Sequence, residues 1–573
     1  MKSKKLLATL LTVSIAASAG LTGCGNKEEG KNDSAKEVDK KQEGKSEKDK
    51  EQYLNAGSGE PTSLDPALVN DDTSLAPQGL LYEGLTRLTP QEDGTGKLDP
   101  GVAEKWEVSK DGLKYTFNLR KDAKWSDGKP VTAKDFEYSW KRLCDKKTGA
   151  KSAGVIKDVI KNSGDIMEGK KSVDELGVKA VDDYTFEVML EKPCGYFMEL
   201  TYFGGLKPVR KDIIEKHGKK YGSEAEYVVG NGAYTLKEWT HKNKLTFIKN
   251  ENYWDKDKIH LTTINWKVMQ DDNSKMQAFQ NGELDSIFVI DPEWIEKFKQ
   301  DPNNEFINSH GNNVDYLLMN VKKNKFLKNE KIRKALAVSF SREEFVKGVW
   351  NDQAVPMYGY VTEGLSLDGV SYKKFVDNDF IKKIQEENKD PKKLLQEGLK
   401  ELGLSEDPSQ VTFSLFARGT SEAQKQEVEF FQQKWKESLG INVKIEQMDN
   451  NIMYSRVQKG DFDMSFNGWF ADYNDPNAFL YAFHSKDGDY KDAGWVNKKY
   501  DDALIKAKST TDPKERAKLY GEAEKALVYE DTVIIPVMST KNPRFRKKYI
   551  KNYHTTEFGR DDYKGVYTSG RTK

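Results

Sequence analysis

The chain has 573 residues, with 92 Lys and Arg against 92 Asp and Glu, so its formal net charge is zero and its mean hydropathy is −0.79. That balance argues against nucleic acid as a partner, because binding phosphates needs an excess of clustered cations. No apolar run after residue 20 approaches the roughly 20 residues that span a bilayer. The length exceeds the roughly 250–300 residues at which single cores stop growing, so two or three lobes are expected.

In chain order, Lys2, Lys4 and Lys5 precede a short apolar stretch from Leu6 to Ala19, then Gly20 and Leu21-Thr22-Gly23-Cys24. A basic start and a short apolar core read as a secretory signal. The small residues before the cysteine resemble the lipobox of bacterial lipoproteins, which implies a signal peptide over 1–23 and lipidation of Cys24. Residues 24–51, mostly charged and small, cannot bury enough apolar surface to offset chain entropy, and are expected to form a disordered tether.

From about 85 to 225 the texture is β-rich. Trp106-Glu107-Val108 and Tyr115-Thr116-Phe117-Asn118-Leu119-Arg120 flank Asp111-Gly112, a hairpin signal, and Tyr184 to Leu190 alternates again. This reads as a separate α+β lobe. Cys144 and Cys194 are read as buried, unpaired thiols, although an extracytoplasmic location also permits a disulfide. Gly164 to Lys171 approaches a P-loop but lacks its Ser or Thr.

Farther on, Gln280-Asn281-Gly282-Glu283-Leu284-Asp285 and Gln458-Lys459-Gly460-Asp461-Phe462-Asp463 share one pattern, and each is predicted at a helix-to-strand junction. Val428, Phe431, Trp435 and Leu439 make a helical stripe over Glu422 to Leu439, stopped by Gly440. Ile441 to Ile445 alternates as a strand, and a helix over Asn451 to Lys459 leads to a strand with Phe462, Met464 and Phe466 on one face. The alternation predicts an α/β sheet with parallel neighbours.

Several segments together resemble the oligopeptide-binding proteins of ABC importers, the extracellular solute-binding proteins of family 5. They are Ala103-Glu104-Lys105-Trp106, Tyr115 to Arg120, Trp125 to Phe136, Asn231-Gly232-Ala233-Tyr234 through Trp239, Ile332 to Leu336 through Arg342, and Gly468-Trp469-Phe470-Ala471-Asp472-Tyr473-Asn474-Asp475-Pro476. The resemblance runs from about residue 55 to the C-terminus. It implies a bilobal periplasmic-binding-protein-like α/β clamp with an additional α+β domain inserted in the first lobe. The expected division is 52–82, 226–311 and 539–573 for the first lobe, 83–225 for the inserted domain and 312–538 for the second lobe. The implied partners are oligopeptides, ABC permease and ATPase subunits, and the membrane through Cys24, with the protein a monomer on the outer face of the bacterial cytoplasmic membrane.

The resemblance also implies where a peptide sits. Its backbone is expected to pair near Asn70 to Asp72 and near Gly468, Trp469 and Phe470, where a glycine permits close approach. Asp472 is expected to receive the peptide's α-ammonium. Trp469, Phe470 and Tyr473 are candidates for side-chain pockets. The chain departs from better-known members at Gly149-Ala150-Lys151-Ser152-Ala153, where some have a tyrosine, and at Phe466-Asn467, where some have an arginine. Gln424 stands near a histidine of some relatives, while Arg456 and Arg418 are candidates for the peptide carboxylate.

An extracellular hydrolase is the rival class. It needs a nucleophile with a base, or a metal, yet there is no H-E-x-x-H and no G-x-S-x-G, and the six histidines are scattered. No catalytic residue, metal or cofactor is expected. A third reading keeps the scaffold and changes the cargo to a nickel complex, haem or an oligosaccharide; the segment Trp469 to Pro476 favours peptides.

Overall fold

A computed structural model describes residues 47–69, 71–91, 96–555 and 561–571. Cys24, the signal peptide, the tether up to residue 46 and Asn70 lie outside the described residues, and of Asp72 only the backbone is described.

Three sheets organise the described chain. In the first, Tyr53–Ser58 runs parallel to Thr263–Val268, which continues antiparallel into Lys244–Lys249 and Tyr234–Thr240. The second is wholly antiparallel, in the order Ala103–Val108, Lys114–Leu119, Thr185–Met189 and Val178–Ala180. Its hairpin turns at Asp111-Gly112 as expected. Gly112 takes φ +68°, a left-handed conformation that suits glycine, and the Asp111 carboxylate accepts from the Leu113 amide at 3.1 Å. The helix Ala133–Cys144 begins at a Thr132/Asp135 capping box and buries Phe136, Trp140 and Leu143, spaced four and three apart on one face.

The third sheet holds Thr412–Arg418 between Asn442–Met448 and Met464–Phe470, all parallel to it, and continues antiparallel through Asn313–Met319 to Ile534–Lys547. The parallel neighbours predicted from alternation are present, but the sheet as a whole is mixed. Asn313–Met319 and Ile534–Lys547 carry the chain into and out of the second lobe, so no helical crossover imposes parallel pairing on them. The helix Glu422–Leu439 keeps its predicted bounds. Ser421 caps it, Val428, Phe431, Trp435 and Leu439 are buried, and Gly440 closes it at φ +79°. The two matching loops also correspond: Gly282 and Gly460 both follow a helix with positive φ, at +76° and +69°.

The long strand Ile534–Lys547 links the lobes. Its first half pairs with Asn313–Met319 and Ala354–Pro356, and its second half with Ser286–Phe288 and Asn304–His310. Its ladder shifts register opposite Asp315 and Tyr316, where such an irregularity bends a strand. One apolar core is formed by residues from Val314 to Met538, and another joins the first two sheets. A small third core gathers Phe279, Phe298 and Phe545 beside the crossover. Cys144 and Cys194 are free and buried, and burial pushes their thiols up to about 12 and about 11. Among the described residues no helix is long and apolar enough to cross a membrane.

Candidate functional site

The strand Met464–Phe470 is buried at its start and emerges at its end. It runs antiparallel to Asn313–Met319, so its carboxyl end points back toward the crossover between the lobes. One edge is fully paired with Asn313–Met319. The other pairs with Thr412–Arg418 only at Met464 and Ser465, and beyond that no strand among the described residues takes it. Gly468, Trp469 and Phe470 therefore offer one open backbone edge, the arrangement to which an extended chain adds as a further strand.

Gly468 is required by its neighbours. It stands opposite Asp315, whose carboxylate grips Arg418 through Nη1 at 2.9 Å and Nη2 at 2.6 Å. A Cβ on residue 468 would lie 2.6 Å from Asp315 Oδ1 and 2.8 Å from Arg418 Nη1. Glu427 takes the remaining face of the guanidinium, at 3.3 Å from Nε and 3.2 Å from Nη2. Burial works against the Arg418 charge, but attraction to Asp315 and then Glu427 outweighs it and holds the group more firmly protonated. Burial raises the Glu427 carboxyl despite Arg418. Every nitrogen of Arg418 is thus committed to a carboxylate. Arg456 is likewise engaged, with Asp461 at 3.0 Å and Glu446 at 3.5 Å, and its guanidinium lies over the Phe416 ring. Gln424 closes the capping box, its Oε1 accepting from the Ser421 amide at 3.1 Å and hydroxyl at 2.8 Å.

Trp469 donates from Nε1 to the Ala478 carbonyl at 2.7 Å and packs edge-on to Tyr490, whereas Phe470 is 65% exposed. Asp472 follows immediately. On one side of it, the Ala471 amide donates to the Asn312 carbonyl at 2.9 Å, and Asn312 Nδ2 returns a bond to Ala471 at 3.2 Å. On the other, Asn474 bonds Ser366 twice at 2.8 Å, and Asp475 accepts from Tyr520 at 2.9 Å and pairs with Arg516. The backbone around Asp472 is therefore fixed, while its carboxylate has no hydrogen bond or ion pair among the described residues. It reaches solvent, yet protein crowding raises its carboxyl above the usual aspartate range, with a smaller push from the Asp489 carboxylate. Desolvation raises Asp489 as well, against a bond from Gln458, and Tyr454 stands beside both. Exposed to solvent and set near a second carboxylate, Asp472 is a place where a cation relieves like-charge repulsion.

Sequence reasoning did not single out Asp489, Gln458, Asp315 or Glu427 for this site. Asp315 carried a usable signal, because a carboxylate between Val314 and the run Tyr316-Leu317-Leu318-Met319 needs a buried partner. No group of His, Cys, Asp or Glu able to hold a metal is found among the described residues. A cavity of about 150 Å³ lies elsewhere, lined by Tyr82, Arg87, Tyr202, Lys207 and Tyr253.

Behind Asp475 lies Glu199, on the short helix Phe197–Leu200, with Oε2 buried and unbonded. Burial, then the Asp475 carboxylate, pushes it up to about 8 against the pull of Arg516. The raised value means that the folded protein holds the proton over a range where the unfolded chain has lost it. The favourable state is complete below the ordinary glutamate value and is lost as pH rises toward 8, at up to about 1.4 kcal/mol per pH unit. Glu199→Gln is expected to raise the melting temperature clearly at pH 8 and little at pH 4.5; an equal shift at both would remove Glu199 as the cause.

A family model, bacterial extracellular solute-binding proteins, family 5 Middle, matches residues 97–491. The chain belongs to this family. It is 35% identical over 542 residues to the dipeptide-binding protein DppE of Bacillus subtilis, covering 94% of this chain and 95% of that protein. Among solved structures, the unliganded open form of the murein tripeptide binding protein MppA matches with a TM-score of 0.78 at 27% identity, covering 91% of this chain and 98% of that one. OppA of Listeria monocytogenes bound to peptide matches with a TM-score of 0.65 at 32% identity, covering 91% and 100%. The fold of this solute-binding protein is accordingly the bilobal clamp with an inserted domain, and like its relatives it is a binding protein, not an enzyme.

Proposed function

We propose that this solute-binding protein captures oligopeptides by their main chain and α-ammonium and delivers them to an ATP-driven importer, held at the outer face of the membrane by lipid on Cys24. The observation that carries the reading is the crowded, unpartnered Asp472 carboxylate two residues beyond the open edge of Gly468 to Phe470. An extended peptide on that edge satisfies its amides without reading side chains. Its amino terminus then meets the Asp472 carboxylate, and the backbone near Asn70 to Asp72 is proposed to pair with the same peptide from the first lobe. With Arg418 and Arg456 engaged, the second lobe leaves the peptide's carboxyl end less tightly specified, which suits ligands of varied length. In this reading the lobe boundaries fall at 82/83, 225/226, 311/312 and 538/539.

The match in TM-score is higher to an open form than to a peptide-bound one, which supports reading this as the open state. Saturating peptide is then expected to reduce the radius of gyration in small-angle scattering as the lobes close. Mass spectrometry of ligands released from protein purified without denaturation tests the cargo directly. Peptides are the expected result; a sugar, haem or metal chelate, with no uptake from a peptide mixture, would overturn the proposal. Metabolic labelling with a fatty-acid analogue, compared between the native chain and Cys24→Ser, tests the anchor.

A further inference from the structure

Asp472 is followed by a residue that leaves its own lobe. Tyr473 packs against the core formed by the first two sheets rather than the core of residues 314–538. Its ring stacks on Tyr196 of the inserted domain, with centroids 4.7 Å apart and planes 17° from parallel. The fit around that stack is close. The Gly195 amide donates to the Lys508 carbonyl at 2.7 Å, and a Cβ at residue 195 would lie 2.4 Å from the Thr510 carbonyl oxygen and 2.7 Å from Arg516 Nε. Arg516 in turn holds Asp475, and Asn477 Nδ2 donates to the Tyr473 hydroxyl at 2.8 Å. Residues 194–199 therefore meet residues 473–477 and 508–516 across the boundary between the inserted domain and the second lobe.

We infer that Tyr196 is a positioning residue for the carboxylate of Asp472, so that the inserted domain sets the placement of the anchor for the ligand's amino terminus. The inference rests on the proposed role of Asp472. The physical basis is local. The Asp472 backbone is tied on one side to Asn312 at the crossover and on the other by Tyr473, and the second tie depends on a ring supplied by another domain. Stacked aromatic pairs stabilise beyond the area they bury, which helps hold a short segment in one conformation. Displacing a charged anchor by a fraction of an ångström weakens the bond it makes while leaving the rest of the ligand's contacts in place.

The test uses the purified full chain, with tetraalanine and N-acetyl-tetraalanine as probes. Tyr196→Ala is expected to weaken binding of the free-amine peptide about three- to tenfold, to leave the acetylated peptide within about twofold, and to speed amide hydrogen exchange at residues 471–475. Tyr196→Phe, which keeps the ring, is expected to bind as the native chain does. Unchanged exchange at 471–475 in Tyr196→Ala would overturn the inference whatever the peptides do, and so would equal loss for both peptides. Should Asp472→Asn fail to distinguish the two peptides while exchange still rises in Tyr196→Ala, the role of Asp472 falls and the anchoring of its segment by Tyr196 stands.

Discussion

Replacing Asp472 by Asn is expected to lower affinity for a peptide with a free amino terminus by about 10- to 150-fold, the equivalent of losing a charge-assisted bond of about 1.5–3 kcal/mol. The same peptide with an acetylated terminus is expected to bind the two proteins alike. Asparagine keeps the size of the side chain, so packing beside Asp489 and Tyr454 is preserved and only the charge is removed. Titration adds a second check. Because desolvation and Asp489 already raise the Asp472 carboxyl, it takes up a proton at a higher pH than an ordinary aspartate. Affinity for the free-amine peptide should fall as pH drops through that raised value, and the Asp472→Asn protein should lack this decline. Calorimetry with both peptides between pH 4 and 7.5 measures both effects. Equal weakening for the free and acetylated peptides would show that the carboxylate holds something other than the terminus.

The second large effect concerns stability. Asp315→Ala removes the better of the two carboxylates around Arg418, leaving a buried guanidinium facing Glu427 alone at 3.2–3.3 Å. Breaking a buried pair by removing one partner costs roughly 3–5 kcal/mol, since the surviving charge stays desolvated. A marked drop in melting temperature is expected, together with weaker peptide binding, because the same pair lies against Gly468. Substituting the whole set, Asp315→Leu with Arg418→Met and Glu427→Leu, should recover most of the loss, as no unpaired charge remains inside. If Asp315→Ala melts like the native protein, the ion pair carries no weight in the second lobe.

Much of this molecule was legible before any coordinates. The helix Glu422–Leu439 announced itself by four apolar residues on one face and a glycine stop, both properties of neighbouring residues. The Asp111-Gly112 hairpin and the glycine turns at 282 and 460 were readable for the same reason: a positive φ is a local demand that few residues meet. The resemblance carried by residues 468–476 led to Asp472. What local reading left out were the relations between distant positions. Arg418 looked available for a ligand, because nothing near it in the chain hints that Asp315, 103 residues away, occupies its fork. Gly468 looked like a concession to an approaching peptide, whereas the atoms filling its missing side chain belong to Asp315 and Arg418.

By itself, the sequence determined the helices, the turns and the family, since periodicity and glycine conformation are decided within a few residues. Only the tertiary structure decided that the third sheet is mixed, that one edge of Met464–Phe470 stays open, and that Asp472 stands unpartnered beside Asp489. It also decided that Tyr473 reaches across to Tyr196. Each of these depends on which surfaces the packed lobes bring together and shield from water, and burial and charge pairing act through space without regard to separation along the chain.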